Sequence, residues 1–205
     1  SLDQYSRPRS VGLRAVDLVE GDHLVGTAII DGSQNIMLFS SEGKAVRFAE
    51  TDVRAMGRVS KGVRGMRLPE DHSVISMVIP ESDGFLLIVC ENGYGKRTKV
   101  DEFPTKGRGG KGMIAIQASE RNGPLVGATQ LFTGDEIMLI SDQGTMVRTR
   151  GDEVSVVGRN TQGVRIIRLK ENENLVSLAR IAEPEEDDFV ESESDGAEIE
   201  DSTTD

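Results

Sequence analysis

The stretch "DGSQNIMLFSSEGKAVRF" (residues 31–48) has a form that returns twice along the chain. An apolar run is followed by a polar turn that contains glycine, and then by a shorter run that contains arginine. The two returns are "SDGFLLIVCENGYGKRTKV" (82–100) and "TGDEIMLISDQGTMVRTR" (133–150). Each turn glycine is followed four residues later by an arginine, and the pairs are Gly43 and Arg47, Gly93 and Arg97, and Gly144 and Arg148. The sequence is therefore organised as a repeat of about fifty residues.

A second, glycine-rich pattern follows each of these stretches with the same period. We call its copies basic loops 1 to 4, and they are "RPRSVGLRAVDL" (7–18), "GRVSKGVRGMRL" (57–68), "GRGGKGMIAIQA" (107–118) and "GRNTQGVRIIRL" (158–169). The aligned glycines are Gly12, Gly62, Gly112 and Gly163, and the aligned arginines of loops 2 to 4 are Arg58, Arg108 and Arg159. The chain thus holds three whole repeats and the second half of one more.

Each unit closes with an apolar segment, which predicts a further strand. The four segments are "HLVGTAII" (23–30), "SVISMVIP" (73–80), "PLVGATQLF" (124–132) and "NLVSLARIA" (174–182). Short apolar runs bounded by glycine turns are typical of β-strands and hairpins, and four strands in 40 to 50 residues match a propeller blade. We predict an all-β, β-pinwheel or propeller-like fold over residues 1–182. Its divisions are a half repeat (1–33) and the repeats 34–83, 84–134 and 135–182.

The acidic charge of the chain is concentrated at its C-terminal end. Residues 183–205 hold 12 Asp and Glu and no Lys or Arg, whereas residues 1–182 hold 23 acids and 24 bases. A segment of like charge with few apolar residues is predicted to be disordered. Such a tail is either a solubility appendage or an electrostatic competitor that covers a basic surface of its own domain.

The residue inventory argues against catalysis by this chain. One cysteine, Cys90, and two scattered histidines provide no metal cluster, and no cofactor site is indicated. Basic loop 3 is not a P-loop of the kind that binds nucleoside triphosphates, because Gly112 rather than Ser or Thr follows Lys111. No apolar run of 18 residues predicts a membrane span, and the cysteine content fits a reducing, cytoplasmic setting.

Glycines with adjacent arginines and lysines favour binding to phosphate groups, because the backbone N–H groups can approach an anion closely. Aromatic residues are not interleaved with them, so the pattern predicts duplex DNA bound through its phosphates, independent of sequence. The candidate residues are Arg47, Arg58, Lys61, Arg64, Lys96, Arg97, Lys106, Arg108, Gly109, Gly110, Lys111, Arg148, Arg159 and Arg165. A structural alternative stays open for Arg47, Arg97 and Arg148, which could pair with acids of a neighbouring blade such as Glu42, Asp52 or Glu102.

These segments resemble the C-terminal domain of the bacterial DNA gyrase A subunit. The resemblance rests on "IMLFSSEGKAVRFAETDVRAMGR", "GVRGMRL", "NGYGKRT", "EFPTKGRGGKG", "GRNTQGV" and the acidic tail. It implies a six-bladed pinwheel that exchanges strands between blades and wraps duplex DNA around its perimeter. It also implies a regulatory tail. In an A2B2 holoenzyme, formed with the gyrase B protein and the rest of the gyrase A protein, the wrap would serve ATP-driven strand passage. That reaction is an isomerase reaction in the bacterial cytoplasm, with ATP and Mg²⁺ bound elsewhere.

The chain departs from that family in two respects. The family's signature Q-R-R-G-G-K-G lies in the first blade, whereas residues 106–112 reproduce only its R-G-G-K-G portion. Three and a half repeats also cannot close a six-bladed ring, so we expect an arc. Two alternatives remain, the equivalent domain of the topoisomerase IV A protein and a propeller that binds proteins. In the latter, Arg58, Arg108 and Arg159 would be buried ion-pair partners.

Overall fold

The computed structural model describes residues 2–182, so the predicted disorder of the acidic tail lies outside the described residues. The strands are β1 (Asn35–Ser40), β2 (Lys44–Ala49), β3 (Val74–Val78), β4 (Phe85–Cys90), β5 (Tyr94–Lys99), β6 (Met113–Ile114), β7 (Leu125–Leu131), β8 (Glu136–Ser141), β9 (Met146–Arg150), β10 (Val164–Arg165) and β11 (Leu175–Ile181). Four short 3-10 helices span Leu2–Tyr5, Glu50–Asp52, Val100–Glu102 and Gly151–Glu153. The predicted all-β class is confirmed.

The strands form three antiparallel sheets, one for each whole repeat. Their orders are β3-β1-β2-β6, β10-β5-β4-β7 and β11-β8-β9. In the first two sheets, the fourth strand comes from the basic loop of the following repeat, since β6 pairs with β2 and β10 pairs with β5. The expectation that each unit supplies its own four strands therefore needs correction, and the exchange implied by the resemblance is present. We call β6 and β10 the capping strands.

The two ends of the described chain lack partners of this kind. A capping strand follows its partner by about seventy residues in both complete sheets, and β9 has no capping strand within residues 2–182. The predicted strand at 23–30 has no regular structure, and Ile29 is 81% exposed. Each closing strand pairs with a hairpin strand about forty residues before it. No hairpin strand pairs with the segment 23–30 within residues 2–182.

The core lies between the sheets, and β4 is its centre. Leu86 and Ile88 of β4 face a cluster shared with the first sheet, while Leu87 and Val89 face a cluster shared with the third. All four side chains are fully buried, which explains why "LLIV" is a continuous apolar run rather than an alternating one. Burial of each such side chain contributes roughly 1.5–3 kcal/mol. In β8 only one face is buried, at Ile137 and Leu139.

Candidate nucleic-acid interface

The four basic loops lie side by side, because one backbone hydrogen bond recurs between neighbours. The N–H of Asp17 in loop 1 donates to the carbonyl of Ser60 in loop 2 at 3.2 Å. The equivalent bonds join loops 2 and 3 (Arg67 N–H to Gly110 O, 2.8 Å) and loops 3 and 4 (Gln117 N–H to Thr161 O, 2.9 Å). The loops therefore form one continuous surface, to which all of the repeats contribute.

A shared backbone conformation keeps these loops in register. The aligned glycines all adopt left-handed φ angles, which are 77° at Gly12, 76° at Gly62, 80° at Gly112 and 76° at Gly163. A Cβ atom at Gly112 would lie 2.8 Å from the carbonyl oxygen of Ala45, and one at Gly163 would lie 2.6 Å from that of Gly95. Glycine is required there because the loop crosses directly over the hairpin that it caps.

The charge of the described chain is strongly segregated onto this surface. The basic loops carry twelve of the Lys and Arg residues and a single acid, Asp17, which lies 3.5 Å from Arg14. The rest of residues 1–182 holds the other 12 bases and 22 acids. A nearly neutral domain thus presents one basic strip on an otherwise acidic body.

Several candidate cations are exposed on or beside the loops. They are Lys61, Arg64, Lys106, Lys111 and Arg165. Where loops 2 and 3 meet, Arg67 and Lys111 join Lys44 around a surface depression of about 260 Å³. Lys44 is partly neutralised there by Glu42. The backbone of Gly110 is also exposed, and that of Gly109 is half-buried.

Two of the recurring loop arginines, Arg108 and Arg159, each attach their loop to the one before it. Arg108 donates to the carbonyls of Arg64 and, at 3.3 Å, Asp52, and Arg159 donates to the carbonyl of Ile114 at 2.8 Å. Arg58 is half-buried, like the other two. Their side chains make no ion pair within residues 2–182. Arg108 and Arg159 therefore position the surface while remaining partly exposed.

The hairpin arginines differ in environment, although they occupy one repeat position. Arg47 is half-buried and donates to the carbonyls of Val100 (3.3 Å) and Phe103 (3.1 Å) in the next repeat. Arg148 is exposed and pairs with Glu136 on the adjacent strand. Arg47 therefore contacts the neighbouring blade, as the structural alternative expected, but its partners are carbonyl groups and not carboxylates.

Lys96 and Arg97 need a correction, because both are buried. The Lys96 ammonium is fully enclosed and donates to the carbonyls of Gly158 (2.9 Å) and Arg159 (2.6 Å). Arg97 is 8% exposed and pairs with Asp152 of the next repeat at 2.9 Å. Neither side chain is available to a phosphate group, so we exclude both from the candidate surface.

Other exposed cations on this surface were not among the candidates. They are Arg7, Arg9, Arg14, Arg67, Arg121 and Arg168. The first three and Arg67 and Arg168 belong to the basic loops, so loop membership was a usable signal for them. Of the aromatic residues near the loops, Phe103 is buried and Tyr94 is only 8% exposed, whereas Tyr5, two residues before loop 1, is 40% exposed.

Two further classes of site find no support in residues 2–182. That part of the chain has no group of three His, Cys, Asp or Glu side chains placed to hold a metal ion. No helix within it is both long and apolar enough to cross a membrane.

The fold and its surface define a propeller-type repeat protein whose blades exchange edge strands and whose exchanged loops carry the basic charge. The chain belongs to the family described as "DNA gyrase C-terminal domain, beta-propeller", which matches residues 1–31, 34–81, 84–130 and 135–182. The expected relation to the gyrase A protein is confirmed by this match and by the relatives below.

The relatives are DNA gyrase A subunits of bacteria. The chain is 55% identical over 188 residues to the gyrase A protein of Salmonella typhimurium, with 92% of this chain and 21% of the relative covered. It is 58% identical over 183 residues to that of Pseudomonas aeruginosa, with 89% and 20% covered. The chain therefore spans about a fifth of the length of these curated relatives.

Solved structures agree on the fold. A structure titled "Structure of DNA gyrase A C-terminal domain" superimposes with a TM-score of 0.76 at 29% identity, over 84% of this chain and 59% of that one. The C-terminal domain of DNA topoisomerase IV gives 0.82 at 22% identity, over 88% and 57%. The latter likeness shows the fold alone, so it does not favour the topoisomerase IV alternative.

Proposed function

We propose that the chain binds duplex DNA, independent of sequence, along the four basic loops. The observation that carries this proposal is that four hydrogen-bonded loops carry twelve cations and a single acid of their own, although Glu42 and Glu102 also approach them. Phosphate contacts of this kind supply affinity without reading base edges. The acidic remainder of the body disfavours other paths for the duplex, because it repels the phosphates.

The repeat geometry supports bending of the bound duplex. Loops 3 and 4 each cap the blade before them, and all four loops lie side by side, so phosphate contacts on successive loops follow the outer edge of the pinwheel. Smooth bending of 20–30 base pairs costs about 1–6 kcal/mol, which contacts on several loops together would offset. A single loop would not hold a bent duplex.

Within a gyrase A protein, this binding would wrap the DNA segment beside the strand-passage machinery and support negative supercoiling. The chain itself would be a non-catalytic part of an ATP-dependent type II topoisomerase. Its partners would be duplex DNA, the rest of the gyrase A protein, and the gyrase B protein in an A2B2 assembly that binds ATP and Mg²⁺ elsewhere. The enzyme would act on the chromosome in the bacterial cytoplasm.

The test is fluorescence anisotropy with labelled duplexes of several unrelated sequences across a salt series. The double variant Lys61→Gln/Lys111→Gln should weaken binding to every duplex alike and reduce the slope of log K against log salt by about 2. The matched control is Lys99→Gln/Arg150→Gln, which removes two exposed cations outside the loops and should leave the slope nearly unchanged.

Two outcomes would overturn the proposal. One is equal weakening by the two double variants, because the loops would then have no special part in binding. The other is no binding by the unchanged chain at low salt. Energy transfer between dyes at the ends of the duplex tests bending, and should increase when the chain binds.

A further inference from the structure

We propose that Arg121 and Arg165, both held against the ring of Tyr94, form a clamp for one phosphate group of the DNA backbone. The inference rests on the proposed function and assigns the middle blade its strongest phosphate contact. It adds Arg121 and Tyr94, which lie outside the basic loops, to the binding surface.

The geometry brings two guanidinium groups to one aromatic ring. The Cζ atom of Arg121 lies 4.5 Å from the Tyr94 ring centroid, and that of Arg165 lies 5.1 Å from it. Arg165 also donates to the Tyr94 hydroxyl at 2.6 Å. Hydrogen bonds from Arg165 and then from Arg121 lower the pKa of the Tyr94 phenol. Cation–π contacts of this kind fix the arginines in place without neutralising them.

Both arginines stand on segments that are tied together. Arg165 belongs to the capping strand β10 and lies directly opposite Tyr94 in β5. Arg121 lies on a turn fixed by Asn122, a fully buried side chain. The Asn122 amide donates to the carbonyls of Gln117 (2.9 Å) and Gln162 (3.2 Å), so the turn is attached to loop 4. Arg121 itself donates to the Gln162 side chain at 3.3 Å.

Neither arginine forms an ion pair within the described residues. Both arginine residues are exposed, and within residues 2–182 no carboxylate oxygen lies within 4.0 Å of either guanidinium. Two such cations repel each other, and an anion between them relieves the repulsion. Guanidinium groups bind phosphate through paired N–H donors, and pre-organised side chains lose less entropy on binding.

Of the three described blades, the middle one has the residues of the clamp, and the other two have different residues at the equivalent positions. At the position of Tyr94, the first blade has Lys44, which is paired with Glu42, and the third blade has Thr145. At the position of Arg121, the other blades have Asp71 and Asn172. A duplex that follows the basic loops should therefore be held most firmly where it crosses β5 and β10.

The experiment uses the full chain and a labelled random-sequence duplex in a salt series. Arg121→Gln should weaken binding about three- to tenfold and lower the salt slope by about 1. Arg150→Gln, which removes an exposed arginine on β9, should change neither. Tyr94→Leu removes no charge, yet it should weaken binding because the arginines lose their support, whereas Tyr94→Phe keeps the ring and should weaken it less.

The double variant Tyr94→Leu/Arg121→Gln separates positioning from folding. If Tyr94 acts through the clamp, the two losses should not add. The DNA affinity of the double variant should then be within about twofold of that of whichever single variant binds more weakly. Fully additive losses would mean that Tyr94 acts only through the fold, and would overturn its role. Normal binding by Arg121→Gln would overturn the clamp while leaving the proposed function intact. Absence of binding by the unchanged chain would overturn both.

Discussion

Gly93 lies directly beneath Ile167, whose carbonyl oxygen would be 2.7 Å from a Cβ atom placed on the glycine. The carbonyl of Gly93 in turn accepts hydrogen bonds from the N–H groups of Ile166 (2.9 Å) and Ile167 (3.2 Å). Gly43 has the same relationship to Ile116. The hairpin turn of one repeat therefore packs against the basic loop of the next repeat and hydrogen-bonds to it, and this contact joins the repeats.

This relationship predicts that Gly93→Ala destabilises the protein far more than Gly144→Ala. Both glycines have left-handed φ angles, 77° and 82°, so both substitutions incur the backbone penalty of about 1–2 kcal/mol. Only at Gly93 must the capping loop also move, because nothing lies within 4 Å of a Cβ atom at Gly144. We expect a loss of about 3 kcal/mol or more for Gly93→Ala in urea unfolding. Equal losses would show that the loop is not held by the turn.

A second prediction compares Arg97 with Arg148, which share one repeat position. Arg97 donates to the carbonyl of Val154 (2.8 Å), binds Asp152 and lies 5.1 Å from the Phe85 ring centroid. Arg97→Met should lower the free energy of unfolding by about 2–4 kcal/mol, because it removes a buried inter-blade anchor. Arg148→Met breaks an exposed pair and should cost less than about 1 kcal/mol. Urea midpoints measure both, and a reversed order would contradict the assignment.

These two arginines also show how far the sequence was informative. Their common position, the turn glycines and the hairpins follow from a repeat that is visible as local pattern. Their burial does not, because it depends on which residues of the next repeat cover each hairpin. Arg97 is covered by Asp152, some fifty residues away, whereas β9 has no capping strand within the described residues. The sequence around a charged side chain does not show whether a distant segment of the chain will bury it.

The capping strands and two of the clamp residues, Arg121 and Tyr94, were unpredictable for a related reason. β6 and β10 are two residues long, which is too short for any alternation of apolar and polar residues to register. Arg121 meets Tyr94 and Arg165 through chain segments that are remote in sequence and that do not recur in the other blades. The repeat period therefore predicted the basic loops, but it did not predict that Arg121 and Tyr94 lie beside them.

A third prediction concerns the pH dependence of stability. Burial lowers the pKa of the Lys96 ammonium from 10.5 to about 8. Between these values the unfolded chain binds the proton that the folded chain has released, so the Lys96 contribution to stability rises with pH. It is fully present above about pH 10.5 and is lost as pH falls through about 8. Relative to Lys96→Met, which does not titrate, the unchanged chain should gain stability from about pH 7 to about pH 9.5.

The measurement is the difference in urea midpoint between the two proteins at each pH. Lys96→Met should be less stable throughout, because the carbonyls of Gly158 and Arg159 lose their buried donor. The sign of the slope is the critical result. A difference that shrinks as pH rises would mean that Lys96 is protonated more readily in the folded chain than in the unfolded one.

The last prediction concerns the acidic tail, residues 183–205, as a competitor for the basic loops. Its 12 carboxylates are tethered to the domain at high effective concentration. At low salt, residues 1–182 should bind a labelled duplex more tightly than residues 1–205, by about tenfold. The difference should diminish as salt screens both interactions. Anisotropy titrations of the two proteins measure it, with thermal unfolding of each as the control for intact folding. Equal affinities at every salt concentration would leave the tail with a solubility role alone.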